Sequence, residues 1–361
     1  MTRAGIAAAR LRNQRIAPPG SHDPAAIVAW LGAVQAQDFA SAKWALALRM
    51  RGETTDAEIA RAIDEGRILR THLLRPTWHF VAADDIRWLL ELTAPRIHQS
   101  LKFGKTHYGL TDALNLRAAK TIERALDAAD CLTRSELGDH LKRARLPYKG
   151  VPLALLTMYA EIERVICSGP HRGKQPTYTL LDRRVPPRER LSRDAALGAL
   201  TERYFRSHGP ATIRDFVWWS GLTTADARRG LEIVRARSET IDGLTYWRLA
   251  ASRAARTPPS EAVHLLPVYD EYLVAYRDLH AVPRGAARWG ILPQPIVSRG
   301  QVVGEWKPVR QRGRIVLDAK TTRRLTRDER AALERAAARY GRFHGLSCAI
   351  RADCGSRSSS R

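Results

Sequence analysis

The sequence predicts an α+β chain: three tandem winged helix-turn-helix modules followed by a C-terminal, β-barrel-like α/β domain. Three observations carry that reading. Threonine stands three residues before an acid at Thr55–Glu58, Thr133–Glu136 and Thr212–Asp215, and these threonines are 78 and 79 residues apart. A β-type segment follows each of them, at His72–Val81, Thr177–Leu181 and Leu244–Leu249. Beyond about Ser260 the texture changes to short β-type runs separated by glycine-containing turns.

Thr-x-x-Glu is the capping box that opens a helix. The hydroxyl accepts an orphan backbone N–H and the carboxylate reaches back to the cap's own N–H. At the third box the shorter Asp215 is expected to add little beyond favourable charge near the helix N-terminus. An apolar helical stretch precedes each box: Ala25–Val34, Leu116–Ala128 and Ala195–Arg206. Helix, capped helix, helix and hairpin is the order of a winged helix, and a period near 80 residues suits its size. The second module carries a hairpin, Val165–Leu181, with His171, Arg172 and Lys174 at its tip. Such a tip either reaches a phosphate backbone or minor groove, or is a solvated turn. Thr257-Pro-Pro-Ser260 reads as a linker. After it, Val263–Val274, Ile296-Val297, Gln301–Trp306 and Arg314–Leu317 suggest an antiparallel meander or small barrel, with Arg299–Gly304 turning among the strands. Thr326–Tyr340 is amphipathic at helical spacing. The expected divisions are 1–100, 101–190, 191–257 and 258–350, with 351–361 a disordered tail.

The chain has 361 residues, 44% hydrophobic and 27% charged, which are globular proportions spread over more than one core. Sixty basic residues face 37 acidic ones, a net charge of +23. Of the basic residues 51 are Arg and 9 are Lys. A GC-rich genome accounts for Arg over Lys but not for the shortage of acids, so a polyanionic partner is expected. No run approaches the roughly 18 apolar residues of a membrane span, and the N-terminus does not read as a secretory signal. Cys131, Cys167, Cys348 and Cys354 lack CxxC or zinc spacing. They read as free thiols in the cytoplasm, with a Cys348–Cys354 disulfide as the alternative.

Neither a GxGxxG after a strand, nor a GxxxxGK[ST], GxSxG or HExxH motif occurs, so nucleotide, acyl-transfer and zinc-protease sites are not indicated. The informative stretch is Val34-Gln-Ala-Gln-Asp-Phe39, where two glutamines arrive as an apolar helix should end. Within a helix, positions i and i+2 diverge; on extended backbone they share a face. The pair is then either a polar helix end or two non-titrating carboxamides that bind a base edge or orient a water. Trp30, Trp88 and the Trp218-Trp219 pair read as core residues. His72 and His79 alternate with apolar neighbours, as strand histidines or site ligands.

Gln35-Ala-Gln-Asp-Phe39, Thr71-His-Leu-Leu-Arg-Pro-Thr-Trp-His79 and Leu265-Leu-Pro-Val-Tyr-Asp270, taken in that order, resemble the AlkZ-like (YcaQ-type) family of winged-helix DNA glycosylases. The resemblance runs from the N-terminus to about Leu346. That family carries a Gln-apolar-Gln or Gln-apolar-Asp signature in its first winged helix, which implies Gln35 and Gln37 as the catalytic pair. Its Thr-x-x-x-Arg-x-Thr-x-His pattern falls on Thr71, Arg75, Thr77 and His79, implied DNA-binding residues. Pro76 departs from it and puts the local strand pairing in doubt. Asp38 and Asp270 are the nearest carboxylates, structural first and site-lining second. The resemblance implies a monofunctional, cofactor- and metal-free, monomeric hydrolase that acts on double-stranded DNA. Bulky or cross-linking N7-alkylguanine is its expected substrate. A non-catalytic winged-helix regulator is the alternative; RNA or a membrane surface has only the charge in its favour.

Overall fold

A computed structural model describes residues 2–187, 189–249, 263–277, 279–282 and 294–354; the expected linker at Thr257–Ser260 lies outside them. The N-terminal part runs α1 (Arg3–Asn13), α2 (Pro24–Leu31), β1 (Val34–Gln35), α3 (Phe39–Arg49), α4 (Asp56–Asp64), β2 (Ile68–Leu73), β3 (Thr77–Ala82) and α5 (Ile86–His107). Next come α6 (Asp112–Asp127), β4 (Leu132–Thr133), α7 (Arg134–Arg143), α8 (Gly150–Ile162), β5 (Ile166–Ser168), β6 (Thr177–Leu180) and α9 (Leu181–Arg184). They are followed by α10 (Arg193–Ser207), α11 (Ile213–Ser220), α12 (Thr224–Ile233), β7 (Arg237–Ile241) and β8 (Leu244–Arg248). The C-terminal part is β9 (Val263–Leu265), α13 (Glu271–Val274), β10 (Pro295–Ser298), β11 (Gln301–Gln311), β12 (Arg314–Thr321), α14 (Arg327–Phe343) and β13 (Ser347–Cys354). The architecture is mixed α+β.

One unit recurs three times: a helix, a short extended piece, two helices and a hairpin whose second strand takes back the short piece. The short piece is β1 against β3, β4 against β6, and finally Ala211 alone bridged to Trp247 of β8. This alignment corrects the register of the sequence repeat. Thr133 and Thr212 cap α7 and α11, each directly after the short piece, whereas Thr55 caps α4, one helix later. The residue equivalent to Thr133 and Thr212 is Asp38, the cap of α3, whose carboxylate accepts from Ser41 N at 2.8 Å. The near-equal threonine spacing is therefore a coincidence of loop lengths, although the triplication it suggested is there. Asp215 also does more than expected. It accepts from Thr212 N at 2.9 Å while Thr212 Oγ1 accepts from Asp215 N at 3.1 Å, a complete reciprocal box.

The C-terminal sheet has the order β13-β12-β11-β10-β9. Strands β10, β11 and β12 form the expected antiparallel meander, but β13 returns through α14 to lie parallel to β12. Among the described strands β13 and β9 are the two edges, and they do not pair with each other. Residues 351–354 belong to β13 rather than to a tail. That strand also answers the disulfide question. Six residues of extended chain separate Cys348 from Cys354 by roughly 20 Å, about three times the reach of a disulfide. Cys131, Cys167 and Cys348 are free thiols.

The cores do not follow the sequence boundaries. Ile27, Trp44 and Phe80 share one apolar cluster with Leu265, Trp306 and Phe343, so segments 1–100 and 258–350 fold on each other. A second cluster joins Leu73 and Leu89 to Leu197, Phe216 and Trp219 of the third unit. Only the middle unit has a core largely its own, built around Leu126, Leu141 and Leu156. Polar ties reinforce the first junction. Arg49, fully buried on α3, makes a bidentate pair with buried Asp270, 2.8 Å from each oxygen. Such a pair needs near-ideal geometry to offset its desolvation. Among the described residues, no helix is long and apolar enough to cross a membrane.

Candidate functional site

The two glutamines sit where helix α2 is forced to stop. Asp23 caps its start with Pro24 in the first turn, and Gly32 ends it at φ +86°, a conformation in which a Cβ is strained. The chain then extends: Gln35 pairs with His79 in β3, and Ala36 N–H donates to Trp78 O at 2.7 Å. The glutamines are therefore not a helix end. Gln35 is 8% exposed, whereas Gln37 lies at the surface. Gln35 Oε1 accepts from Arg75 Nη2 at 3.0 Å, and Gln37 Oε1 accepts weakly from Trp78 N at 3.4 Å. Each carboxamide oxygen keeps a second lone pair for a ligand.

Strand register builds a polar row beneath them. Gln35 lies across from His79, and His79 across from Thr71, so the three share one face of the sheet β1-β3-β2. Pro76 does no harm to this pairing. It stands in the turn between β2 and β3, where no ladder N–H is required, and Leu73 pairs with Thr77 on either side. His79 is fully buried; its Nδ1–H donates to Thr77 O at 2.9 Å, leaving Nε2 as a lone-pair acceptor. Burial, helped by the Arg75 charge, pushes its pKa down to about 3, so the ring is neutral. Thr71 Oγ1, Arg75 Nε, Thr77 Oγ1 and His79 Nε2 are all buried without a hydrogen-bond partner among the described residues. Four such atoms on one short motif mark a place for a water or a polar substrate group, because orphaned buried polar atoms are otherwise costly.

Arg75 reaches the row from the turn after β2. It is largely buried, which lowers its pKa, and it makes no ion pair among the described residues. Its guanidinium lies 5.2 Å from the Trp218 ring, and Arg277 stands at the same distance from that ring. Trp218 thus departs from the expected core role at 40% exposure, while Trp219 is fully buried. The end of α11 is pressed on this turn, since a Cβ on Gly221 would meet Leu74 O at 2.4 Å.

The sequence reading ranked Asp38 and Asp270 as structural first and site-lining second. Asp38 caps α3 and Asp270 is consumed by Arg49, so both are structural. The carboxylate at the site is Glu271, which that reading passed over. Its Oε1 accepts from Gln35 N at 2.7 Å and its Oε2 from Trp219 Nε1 at 2.9 Å; His208 Nε2 lies 3.4 Å from Oε2. Burial opposes its ionisation, but His208 and the Gln35 N–H hold its pKa below the ordinary carboxylate value. Only adjacency to Asp270 marked it in sequence, because its partners lie 236 and 52 residues away.

The opposite face of the sheet opens on a cleft of about 730 Å³ lined by Phe39, Arg70, Trp78, Tyr178, His171 and Lys174. Arg70 donates to Ala36 O through Nε and Nη2, at 3.1 and 3.0 Å, and its guanidinium lies 4.3 Å from the Trp78 ring centroid. His72 packs on Trp78 and pairs with buried Glu161, so it is an interior strand histidine. At the hairpin tip, His171 folds back onto Asp64 through Nδ1 and its backbone N–H, at 2.8 and 2.9 Å. Arg172 pairs with Glu136 at 2.7 Å, while Lys174 is exposed. Among the described residues, no group of three or more His, Cys, Asp or Glu is placed to hold a metal ion.

The class this chain falls in, DNA glycosylases, is given by its match to a family model that spans most of its length. Residues 28–343 match the family described as DNA glycosylase AlkZ-like, and the chain belongs to that family. It is 26% identical to the interstrand DNA cross-link repair glycosylase of Streptomyces sahachiroi, over 94% of this chain and 95% of that protein. The solved structure of Streptomyces sahachiroi DNA glycosylase AlkZ shares the fold, with a TM-score of 0.78 at 23% identity, covering 98% of this chain and all of that one.

Proposed function

We propose that this enzyme is a monofunctional DNA glycosylase that excises bulky or cross-linking N7-alkylguanine by water-mediated hydrolysis of the glycosidic bond. The observation that carries this is Gln35 paired with His79 and bonded to Arg75, with Gln37 two residues on at Trp78 N, and four polar atoms of Thr71, Arg75, Thr77 and His79 buried without a partner among the described residues. An N7-alkylated guanine carries positive charge and leaves with the electrons of the C1′–N9 bond without prior protonation. The enzyme must then stabilise a cationic sugar and place a water on C1′. Neutral carboxamide oxygens do this by orienting the water and presenting fixed dipoles. Arg75 fixes the Gln35 carboxamide, and neutral His79 offers a further acceptor.

In this reading the three recurring units are winged helices, divided near residues 100, 190 and 257, and together with the C-terminal domain they form a basic cradle. The monomeric, cytoplasmic protein grips duplex DNA without metal or cofactor. The cleft on the opposite face of the sheet, with Trp78 and Arg70 on its wall, gives a bulky alkyl group room. Lys174 is the hairpin residue best placed for a phosphate; His171 and Arg172 contribute after exchanging their carboxylates. The test is incubation of the purified protein with duplex DNA carrying N7-methylguanine or a nitrogen-mustard cross-link. Released base and abasic sites are expected. Sequence-specific binding with no base released from either would overturn the proposal in favour of a regulator.

A further inference from the structure

We propose that Glu271 is the electrostatic positioning residue of this site, a buried anion that holds Gln35 by its backbone and favours positive charge on the sugar. The inference rests on the glycosylase reading above and supplies the negative charge that a Gln-Gln signature lacks.

Glu271 is 1% exposed, and its contacts converge from three parts of the chain: Gln35 N–H after α2, Trp219 Nε1–H on α11, and the His208 ring at the end of α10. None of these is a permanent cation. A peptide and an indole are neutral, and burial lowers the His208 pKa. The neighbouring carboxylates are treated otherwise. Asp270 is matched by Arg49 at 2.8 Å and Asp215 by Arg10 at 3.7 Å, whereas Glu271 has no Arg or Lys within 4 Å among the described residues. A buried carboxylate held only by neutral donors is a poor device for stability, because desolvation is not repaid by a countercharge. It is a good device for a field. Arg75, which makes no ion pair among the described residues, donates to the Gln35 carboxamide. Gln35 is therefore held between an anion at its backbone and a cation at its side chain. During base loss, positive charge passes from the alkylated base to the sugar ring. A fixed anion one peptide from the Gln35 side chain favours the second arrangement and needs no reorganisation at the moment of reaction.

The test uses two abasic analogues in otherwise identical duplexes: neutral tetrahydrofuran and a cationic pyrrolidine in which nitrogen replaces the sugar position bearing charge. Wild-type protein is expected to bind the pyrrolidine duplex at least about tenfold more tightly than the tetrahydrofuran duplex, as cation mimics of a transition state do. In Glu271→Gln that preference falls to within about twofold, tetrahydrofuran affinity is unchanged, and single-turnover release of N7-methylguanine slows about 100-fold, the usual scale for losing one preorganised group. A merely structural glutamate would move both affinities together. Should Glu271→Gln fail to bind the tetrahydrofuran duplex, Glu271→Gln/Trp219→Phe removes the indole N–H that would face the new amide, and the same comparison is read. A wild-type protein that releases base without preferring the cation, or a variant that keeps the preference, overturns the inference. A wild-type protein that releases no base overturns the parent reading instead.

Discussion

Arg75 donates from Nη2 to Gln35 Oε1 at 3.0 Å, so the buried carboxamide is oriented from the turn after a strand that does not contain it. The same guanidinium leaves Nε buried without a partner and lies over Trp218. A planar fork can make these contacts together; an ammonium on a flexible stem cannot.

Arg75→Lys is therefore expected to slow base release at least about tenfold, with DNA affinity within about twofold of wild type, as for a lost positioning contact. Single-turnover release and fluorescence anisotropy measure the two. An unchanged rate would show that the Gln35 carboxamide needs no orienting partner.

Gln37 is exposed and held only by a 3.4 Å contact to Trp78 N. Gln37→Ala should leave the melting temperature and DNA affinity close to wild type while base release falls about 10²- to 10³-fold, the scale of one lost preorganised group. Parallel loss of affinity and rate would mean that the glutamine binds rather than positions.

How much of this was legible beforehand depended on how far each partner lies in sequence. The helices of the three units, the Thr133 and Thr212 boxes and the meander β10–β12 are set by local pattern and could be read directly. Helix α3 was not, because Asp38 lacks the Thr-x-x-acid pattern by which the other caps were read. Missing α3 then matched Thr55 to the wrong helix. Gln35 and Gln37 were legible as a motif, but the extended backbone at Gln35 depended on Gly32 and on pairing with His79, 44 positions away. Glu271 was illegible, since every donor that makes it part of the site arrives from another segment. The parallel strand was missed for a similar reason: β13 pairs with β12 only after α14 has crossed over.

The Arg49–Asp270 pair ties α3 to α13 with both side chains fully buried. Asp270→Asn leaves a buried guanidinium without its charge partner, which typically costs about 3–5 kcal/mol. A fall of several degrees in the thermal midpoint is expected, without any change in the lesions recognised. Calorimetry that finds no shift would mean that solvent reaches the pair.

His79 makes acid sensitivity predictable in sign. Its folded pKa is about 3, below the ordinary 6.5, so protons bind the unfolded chain first. The neutral ring's contribution is present in full above pH 6.5 and is lost as pH falls toward 3, by up to about 1.4 kcal/mol per unit. His264, lowered to about 4 by burial, adds in the same direction. His79→Gln should flatten the dependence of the urea midpoint on pH between 6.5 and 4.5 relative to wild type, with the His264 part common to both proteins. Superimposable curves would place His79 in solvent.

The net charge of +23 overstates the grip on DNA, because many arginines are already committed inside the protein. Arg10, Arg49, Arg184 and Arg339 bind backbone carbonyls, and Arg172 is paired with Glu136. Roughly 6–10 phosphate contacts would weaken binding about 10³- to 10⁵-fold between 50 and 200 mM salt. The hairpin separates charge from contact. Lys174 is exposed, so Lys174→Ala should reduce the slope of log affinity against log salt by about one. Arg172→Ala should reduce it by less, since a phosphate must first displace Glu136, whose own pKa is lowered by its bonds to Thr133 and Arg172. Equal effects from the two substitutions would mean that Arg172 leaves Glu136 freely when DNA binds; no effect from either would remove the hairpin from the interface.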